Sequence, residues 1–229
     1  MMFSRRTWRW IVITASILIL LLGTLGAVAT WLFYSTPAAW RQKQAVLATA
    51  DPADVEAAAR SVETRLTRAL TDVGPAERTI NFREATLNAW LRERLRPWAA
   101  QQDIDVPAEL GQVVLDINPD SVRVLAELIS EDDTRRVVSL DFKVDVPETG
   151  KGYIKITGVQ AGRLPLPVSL FNRDPETSDD DNGLRITEYI RGVTFDAGGP
   201  IDETREVALV DARLVDGEIT LVFEVKNRD

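Results

Sequence analysis

The hydrophobic pattern divides the chain into an apolar N-terminal segment, a helical region and a strand-rich remainder. Residues 11–33 read IVITASILILLLGTLGAVATWLF and include no charged residue. As a helix rising about 1.5 Å per residue they span roughly 34 Å, which is enough to cross a hydrocarbon core of about 30 Å. The pattern therefore predicts a single transmembrane helix, which we assign to residues 11–34.

The residues at the two ends of this segment predict its orientation. Aromatic side chains, which favour membrane interfaces, flank it on both sides: Trp8, Trp10, Trp31, Phe33 and Tyr34. Three arginines precede it, Arg5, Arg6 and Arg9, so the positive-inside rule places residues 1–10 in the cytoplasm and the rest outside. A cleaved signal peptide ending near Ala27-Val28-Ala29 is the alternative, although bulky residues 31–33 continue beyond that point. Both interpretations export the remainder.

One short polar helix and two amphipathic helices are predicted next. A short one follows Thr36-Pro37, and a longer one begins at Asp51-Pro52, with Asp as the N-cap and Pro at the first helical position. Its apolar stripe, spaced by three and four residues, packs either on the chain's own domain or on a partner helix: Val55, Ala58, Ala59, Val62, Leu66, Ala69, Leu70 and Val73. The third runs from Glu84 and is expected to end at Pro97. Trp90 lies on its apolar face and is interpreted as a core residue, with a ligand-stacking platform as the alternative.

From Val113 the hydrophobic period changes to two, which predicts strands. The clearest run from Arg136 to Val146 and from Tyr153 to Val159. The chain closes with a hairpin, 206–214 and 218–225, around Asp216-Gly217, a pair that favours a type I′ turn. Clean alternation is typical of antiparallel strands with one covered and one solvated face. We therefore predict an α+β fold in which amphipathic helices pack on one curved antiparallel sheet of five or six strands.

Composition excludes several function classes. The chain has no His and no Cys, so imidazole- or thiolate-based catalysis and metal sites cannot form within it. All 35 acidic residues and 24 of the 27 basic ones follow Tyr34, which gives the exported part a net charge of −11. This charge argues against nucleic-acid binding and against electrostatic docking on anionic membranes.

Polar clusters offer few candidate sites. The acidic stretch 174–183 is interpreted as a solvated loop, with weak Ca²⁺ binding as the alternative, because its register fails the EF-hand pattern at Ser178 and Tyr189. Asp141, Lys143 and Asp145 alternate in sign, as on an exposed sheet face. The dyads Ser139–Lys143 and Ser121–Lys155 show no sign of the buried lysine that they require. We assign no catalytic, cofactor-binding or metal-ligating residue.

A proline-rich segment, Gly162-Arg163-Leu164-Pro165-Leu166-Pro167-Val168, follows the strand that ends near Val159. We call it the strap; it is interpreted as a rigid turn leaving the sheet edge, or as a docking segment for a partner.

The order of these segments resembles that of the YpmS-like family of bacterial membrane-anchored proteins, over residues 79–225. The segments that carry the resemblance are the anchor, the helix with Leu87-Asn88-Ala89-Trp90-Leu91, the strap and the ending Asp216-Gly217-Glu218-Ile219. The long helix 51–73 and the acidic loop depart from that pattern.

The resemblance implies a bacterial cell-surface domain of unsettled activity, with no catalytic residues to transfer. We predict a cytoplasmic N-terminus (1–10), a transmembrane helix (11–34), a juxtamembrane helical stalk (35–75) and an extracytoplasmic α+β domain (76–229) at the plasma (inner) membrane. The expected function is non-enzymatic and cofactor-free, either binding of a lipid or other apolar ligand between helix and sheet, or structural partnership with an envelope protein. A hydrolase is the least favoured class.

Overall fold

The computed structural model describes residues 5–71, 75–171 and 186–228, with the side chains of the first helix described from Leu20 onward. It has the predicted α+β class. The helices are α1 (Arg5–Tyr34), α2 (Ala38–Thr49), α3 (Pro52–Thr71), α4 (Glu84–Gln101) and α5 (Ile186–Arg191), with a 3₁₀ turn at Val168–Phe171. The strands are β1 (Ala76–Arg83), β2 (Leu110–Asn118), β3 (Ser121–Ile129), β4 (Arg135–Glu148), β5 (Lys151–Ala161), β6 (Leu164–Leu166), β7 (Val193–Asp196), β8 (Gly198–Pro200), β9 (Arg205–Val215) and β10 (Glu218–Asn227).

The strands form two sheets, whereas the sequence predicted one. The first has the order β1-β10-β9-β8, and the second has the order β2-β3-β4-β5-β6 with β7 also paired to β5. Every pairing among these described strands is antiparallel, as predicted. The alternation of apolar residues shows which side chains share a face of a strand, but it carries no information about which strands pair. This is why the division into two sheets was missed.

The turn at Asp216-Gly217 connects the two sheets. The Gly217 N–H donates to the carbonyl of Ile117 in β2 (2.9 Å), and the Gly217 carbonyl accepts from the N–H of Glu84 at the start of α4 (2.8 Å). Of the two central turn residues, Gly217 has a positive φ, of 73°, and Asp216 does not. The predicted type I′ turn, which needs positive φ at both, is therefore wrong. The backbone here satisfies these two long-range hydrogen bonds rather than the preferences of an isolated hairpin.

The helices of the predicted stalk pack on the sheets. In α2, Trp40 and Leu47 are buried against Val114, Leu125 and Val137 of the second sheet. The stripe of α3 packs on its own domain, where Val55 and Ala59 contact α4 and Val62 joins a cluster with Ile80 and Phe82 of β1. Residues 38–71 are therefore part of the folded body.

The second sheet is covered on both faces along part of β4, which corrects the expected solvated face. Val137 lies in the α2 cluster, and Ser139 on the same side of β4 is buried. Leu140 and Phe142, on the opposite side, pack with Ile156 and Ile190. The sequence pattern of β4 hides this because Ser139 is polar although it is buried.

Helix α4 continues past Pro97, where we predicted its end. Proline cannot donate the hydrogen bond to the carbonyl four residues earlier, which costs roughly 3 kcal/mol in a helix interior. Packing of the last turn offsets this cost: Ala99 is buried, and the Trp98 ring meets the Trp90 ring edge-on at 5.9 Å between centroids. Trp90 itself packs against the α3 clusters, as predicted for a core residue.

Candidate functional site where the N-terminal helix meets the domain

The N-terminal helical region is long and apolar enough to cross a membrane, which is compatible with a single-pass membrane protein. Among the described side chains, the stretch that meets this criterion is Leu20–Thr49, and its most apolar part is not buried within the protein. A signal sequence would meet the same criterion. This stretch includes α2, whose Trp40 is only 7 % exposed against the sheet. The part that can face lipid is therefore α1, where exposed apolar side chains continue from Leu20 to Val28.

The C-terminal end of α1 is joined to the strap by backbone contacts. The Arg163 N–H donates to the Leu32 carbonyl (2.8 Å), which also accepts from the Ser35 N–H (3.2 Å). The Gly162 N–H donates to the Val137 carbonyl in β4 (2.7 Å). Gly162 has φ of 60°, and a Cβ placed on it would lie 2.7 Å from the Leu32 carbonyl oxygen. Only glycine fits this position, because both the backbone conformation and the close approach exclude a side chain.

Two arginines of the domain stack on the aromatic residues at this end of α1. The Arg136 guanidinium carbon lies 5.4 Å from the centroid of the Phe33 ring and 5.4 Å from that of Tyr34. The Arg163 guanidinium carbon lies 5.8 Å from the Trp31 ring. These are cation–π distances, each worth about 0.5–1 kcal/mol at an exposed site. Together with the backbone bonds they hold the helix exit against the corner of the second sheet; we call this set of residues (Trp31, Phe33, Tyr34, Arg136, Gly162, Arg163) the collar.

The strap does not leave the sheet edge. Leu164 and Leu166 pair with Ala161 and Val159 as the short edge strand β6. Pro165, which has no N–H, is tolerated there because an edge strand has one unpaired side. The expected departure from the sheet edge is therefore wrong, while the strap is a structural element of the domain that also contacts the chain's own α1.

A second polar cluster lies between α2, α4 and β2. The Lys43 ammonium lies 2.5 Å from a Glu84 carboxylate oxygen and 3.0 Å from one of Asp116. The other Glu84 oxygen accepts from the N–H of Ile117 (2.8 Å). Burial acts to lower the pKa of Lys43, but the hydrogen bonds to Glu84 and Asp116 outweigh it and the pKa is raised above 10.5. A fully charged lysine that two carboxylates hold is suited to fixing helices in place, not to acting as a base or nucleophile.

Asn88 completes the outer edge of β2. Its side-chain nitrogen donates to the Leu115 carbonyl (2.9 Å) and its oxygen accepts from the Leu115 N–H (2.6 Å). Asn88 is 3 % exposed, so this amide replaces the hydrogen bonds of a missing neighbour strand. With Glu84 and Gly217 it closes the edge between the two sheets.

The polar residues that the sequence singled out are not brought together. Asp141 pairs with Arg123, at 2.6 Å between Oδ1 and Nε, and Lys143 lies opposite Lys155. Ser139 and Lys143 are four residues apart on one strand, about 13 Å, which is too far for a dyad. The acidic stretch 174–183 lies outside the described residues. In the described ranges no group of three or more acidic side chains could hold a metal ion.

A cavity of about 280 Å³ lies between α4 and the edge of the second sheet. Its apolar wall includes Leu91, Leu95, Val113 and Ile129, and its rim carries Arg92, Arg96, Glu127 and Arg135. Pockets that enclose a small molecule usually measure about 300–1,000 Å³. Between the helices and the first sheet lies the cluster around Val62, Phe82 and Trp90. An open, mostly polar groove of about 480 Å³ lies beside it, between α3 and β1.

Comparisons with protein-family models, with curated proteins and with solved structures find no match to this chain. Sequence reasoning identified the aromatic residues of the collar and the strap separately, but it missed that they meet. Leu32 and Arg163 lie far apart in the chain, and no local pattern links them. The one available signal was a glycine directly before the arginine of the strap, at the end of a strand.

Proposed function

We propose that this chain is a non-enzymatic, membrane-anchored envelope protein whose domain is held at the outer face of the plasma membrane by the collar, where it serves in binding or assembly. The observation that carries the proposal is the collar itself. A flexible tether would leave the helix exit free of the domain, whereas here the hydrogen bond from Arg163 to Leu32 and the arginine–aromatic contacts join them. A domain fixed in this way presents a defined surface to partners in or near the membrane.

The resemblance to the YpmS-like family and the arginines before residue 11 support an extracytoplasmic placement. Counting back about 20 residues from Trp31, the length needed to cross a bilayer, reaches Ile11, which agrees with the predicted span. The side chains of the second polar cluster, which are paired with one another, support a scaffold rather than a catalyst.

Cysteine labelling tests the placement directly, because the chain has no cysteine of its own. Single substitutions Asp120→Cys, in the β2–β3 turn, and Ser4→Cys, before α1, are expressed in cells that are then converted to spheroplasts. A membrane-impermeant maleimide should label Asp120→Cys in intact spheroplasts and Ser4→Cys only after lysis. The reverse pattern, or a chain that appears in the soluble fraction, would refute the proposal.

Binding of an apolar ligand is the second candidate, and the cavity beside α4 favours it. At about 280 Å³ it would take part of an acyl chain rather than a whole lipid. Organic extraction of the purified full chain followed by mass spectrometry should then recover lipid at one equivalent, and Leu95→Trp, which fills the cavity, should reduce it. Recovery that is unchanged in Leu95→Trp would rule out this cavity as the binding site.

A further inference from the structure

The collar lies where a membrane places its phosphates. If α1 spans the bilayer, as the proposed function requires, then Trp31 and Tyr34, which are 62 % and 61 % exposed, stand at the headgroup level that aromatic side chains prefer. The guanidinium groups of Arg136 and Arg163 stack on these aromatic residues and share their depth. Two fixed positive charges therefore stand at the surface of the membrane, on the side where the domain lies.

Both arginines keep hydrogen-bond donors available. An arginine has five N–H donors in a planar fork. Arg163 is exposed, whereas Arg136 is half-buried and only its Nε is enclosed by the protein. In the parts of the chain that the structure describes, neither guanidinium forms an ion pair, and the buried Nε of Arg136 has no hydrogen-bond partner. The fork of each arginine matches the two free oxygens of a phosphodiester.

The negative charge of the whole domain opposes this binding only at long range. The exported part has a net charge of −11, which opposes attraction to an anionic membrane over long distances. A domain that its own helix tethers needs no such attraction, and charges more than about 8–10 Å away are largely screened at physiological ionic strength. Asp132, in the turn before β4, has a lowered pKa, first because Thr134 donates hydrogen bonds to it and then because of the charge of Arg136.

From this arrangement we infer that Arg136 and Arg163 bind the phosphate of an anionic phospholipid at the exit of α1, with the headgroup resting on the collar. The bound lipid accepts from the exposed N–H groups of the two guanidinium groups. It also fixes the orientation of the domain more firmly, because the same two arginines hold both the lipid and the aromatic residues of α1.

Native mass spectrometry of the full chain in a non-ionic detergent tests this inference. The probes are phosphatidylglycerol and phosphatidylcholine, supplied in equal amounts, with inorganic phosphate as a competitor. We expect the wild type to retain phosphatidylglycerol preferentially. Arg136→Gln and Arg163→Gln should each weaken retention about fivefold, and Arg163→Lys by less, because lysine keeps the charge but loses the fork. Arg213→Gln removes the same charge from an exposed site on the first sheet and should change nothing.

Each other outcome overturns the inference. Equal retention of the two lipids by the wild type means that no anionic site exists, and this result holds even if the arginine variants fail to fold. Displacement by millimolar inorganic phosphate means that the collar binds free phosphate and not lipid. Retention that falls equally in Arg213→Gln means that only overall charge matters. A chain that stays soluble without detergent contradicts the proposed membrane anchor itself, so the two failures are distinguishable.

Discussion

Replacing Gly162 by alanine should release α1 from the domain. The residue has φ of 60°, and the added Cβ would lie 2.7 Å from the Leu32 carbonyl oxygen and 2.8 Å from the Phe33 carbonyl carbon. Real Cβ atoms do not approach backbone this closely. Because these neighbours are backbone atoms and not the end of a flexible side chain, either α1 or the strap has to move.

The magnitude follows from what is lost. An alanine in the left-handed conformation costs about 1–2 kcal/mol. Moving α1 away also breaks the hydrogen bond from Arg163 to Leu32, about 1 kcal/mol net, and the cation–π contacts, about 0.5–1 kcal/mol each. We therefore expect Gly162→Ala to lower the free energy of unfolding by about 3.5–6 kcal/mol in total.

Two other glycines provide matched controls. Gly217 also has positive φ, of 73°, but a Cβ there would meet no atom within 4 Å, so Gly217→Ala should lose only the backbone cost of about 1–2 kcal/mol. Gly199 has open space around the position of a Cβ and no positive φ, so Gly199→Ala should leave the free energy of unfolding almost unchanged. Urea unfolding of the full chain in detergent measures all three.

The docking itself can be measured with nitroxide labels at Leu25→Cys in α1 and Asp145→Cys in β4, by electron–electron double resonance. In the wild-type background the distance distribution should be narrow, and in Gly162→Ala it should be broad. A distribution that stays equally narrow, together with a stability loss equal to that of Gly217→Ala, would refute the reasoning that the Cβ collides with α1.

Three further changes test the packing. Val62→Asp places a charge in the cluster around Ile80 and Phe82 and should lower the free energy of unfolding by about 3 kcal/mol or more. Leu66→Asp, at a side chain 39 % exposed, should change it by no more than about 0.5 kcal/mol. Thermal melts measure both, and an equal loss in the two variants would mean that Leu66 is also a core residue. Asn88→Ala leaves the Leu115 N–H and carbonyl unpaired and should lose about 2–4 kcal/mol in urea unfolding, with more aggregation through the opened β2 edge; no loss would show that the edge needs no cap. Because the folded pKa of Lys43 is raised above 10.5, its ion pairs stabilise the fold below that pH, and this contribution disappears as the pH rises through the raised pKa. The stability difference between wild type and Lys43→Met should therefore be constant from pH 7 to 9 and shrink above pH 10.5; a difference that does not shrink would contradict the role of this charge.

Local patterns predicted helices α1 to α4 and the long strands β4, β5, β9 and β10, but not the short elements α5, β7 and β8. Helix α3 begins at Pro52 as expected, with the Ala53 N–H donating to the Asp51 side chain (2.8 Å), because a cap and the residues that it serves are adjacent in sequence. The stripe of Val55, Ala59 and Val62 is buried for the same kind of reason, since residues three and four apart share a helix face.

Long-range contacts were beyond the sequence. Pro97 was expected to end α4 because local geometry disfavours it, and only the packing of Trp98 and Ala99 explains why the helix continues. The collar depends on contacts between α1, β4 and the strap, which lie far apart in the chain. Asn88 did carry a readable signal: an amide within an apolar helical stripe indicates a buried polar partner, here the backbone of Leu115.

The central claim, that the collar holds the domain against the membrane, is tested most directly by depth. Nitroxides at Glu131→Cys, in the turn before β4 and near Arg136, and at Asp120→Cys, at the opposite end of β3, are compared in bilayers that contain nickel-chelating lipids. The proposed arrangement predicts stronger relaxation at Glu131 than at Asp120, and loss of this difference in Gly162→Ala. Equal relaxation at the two sites in the wild type would contradict it.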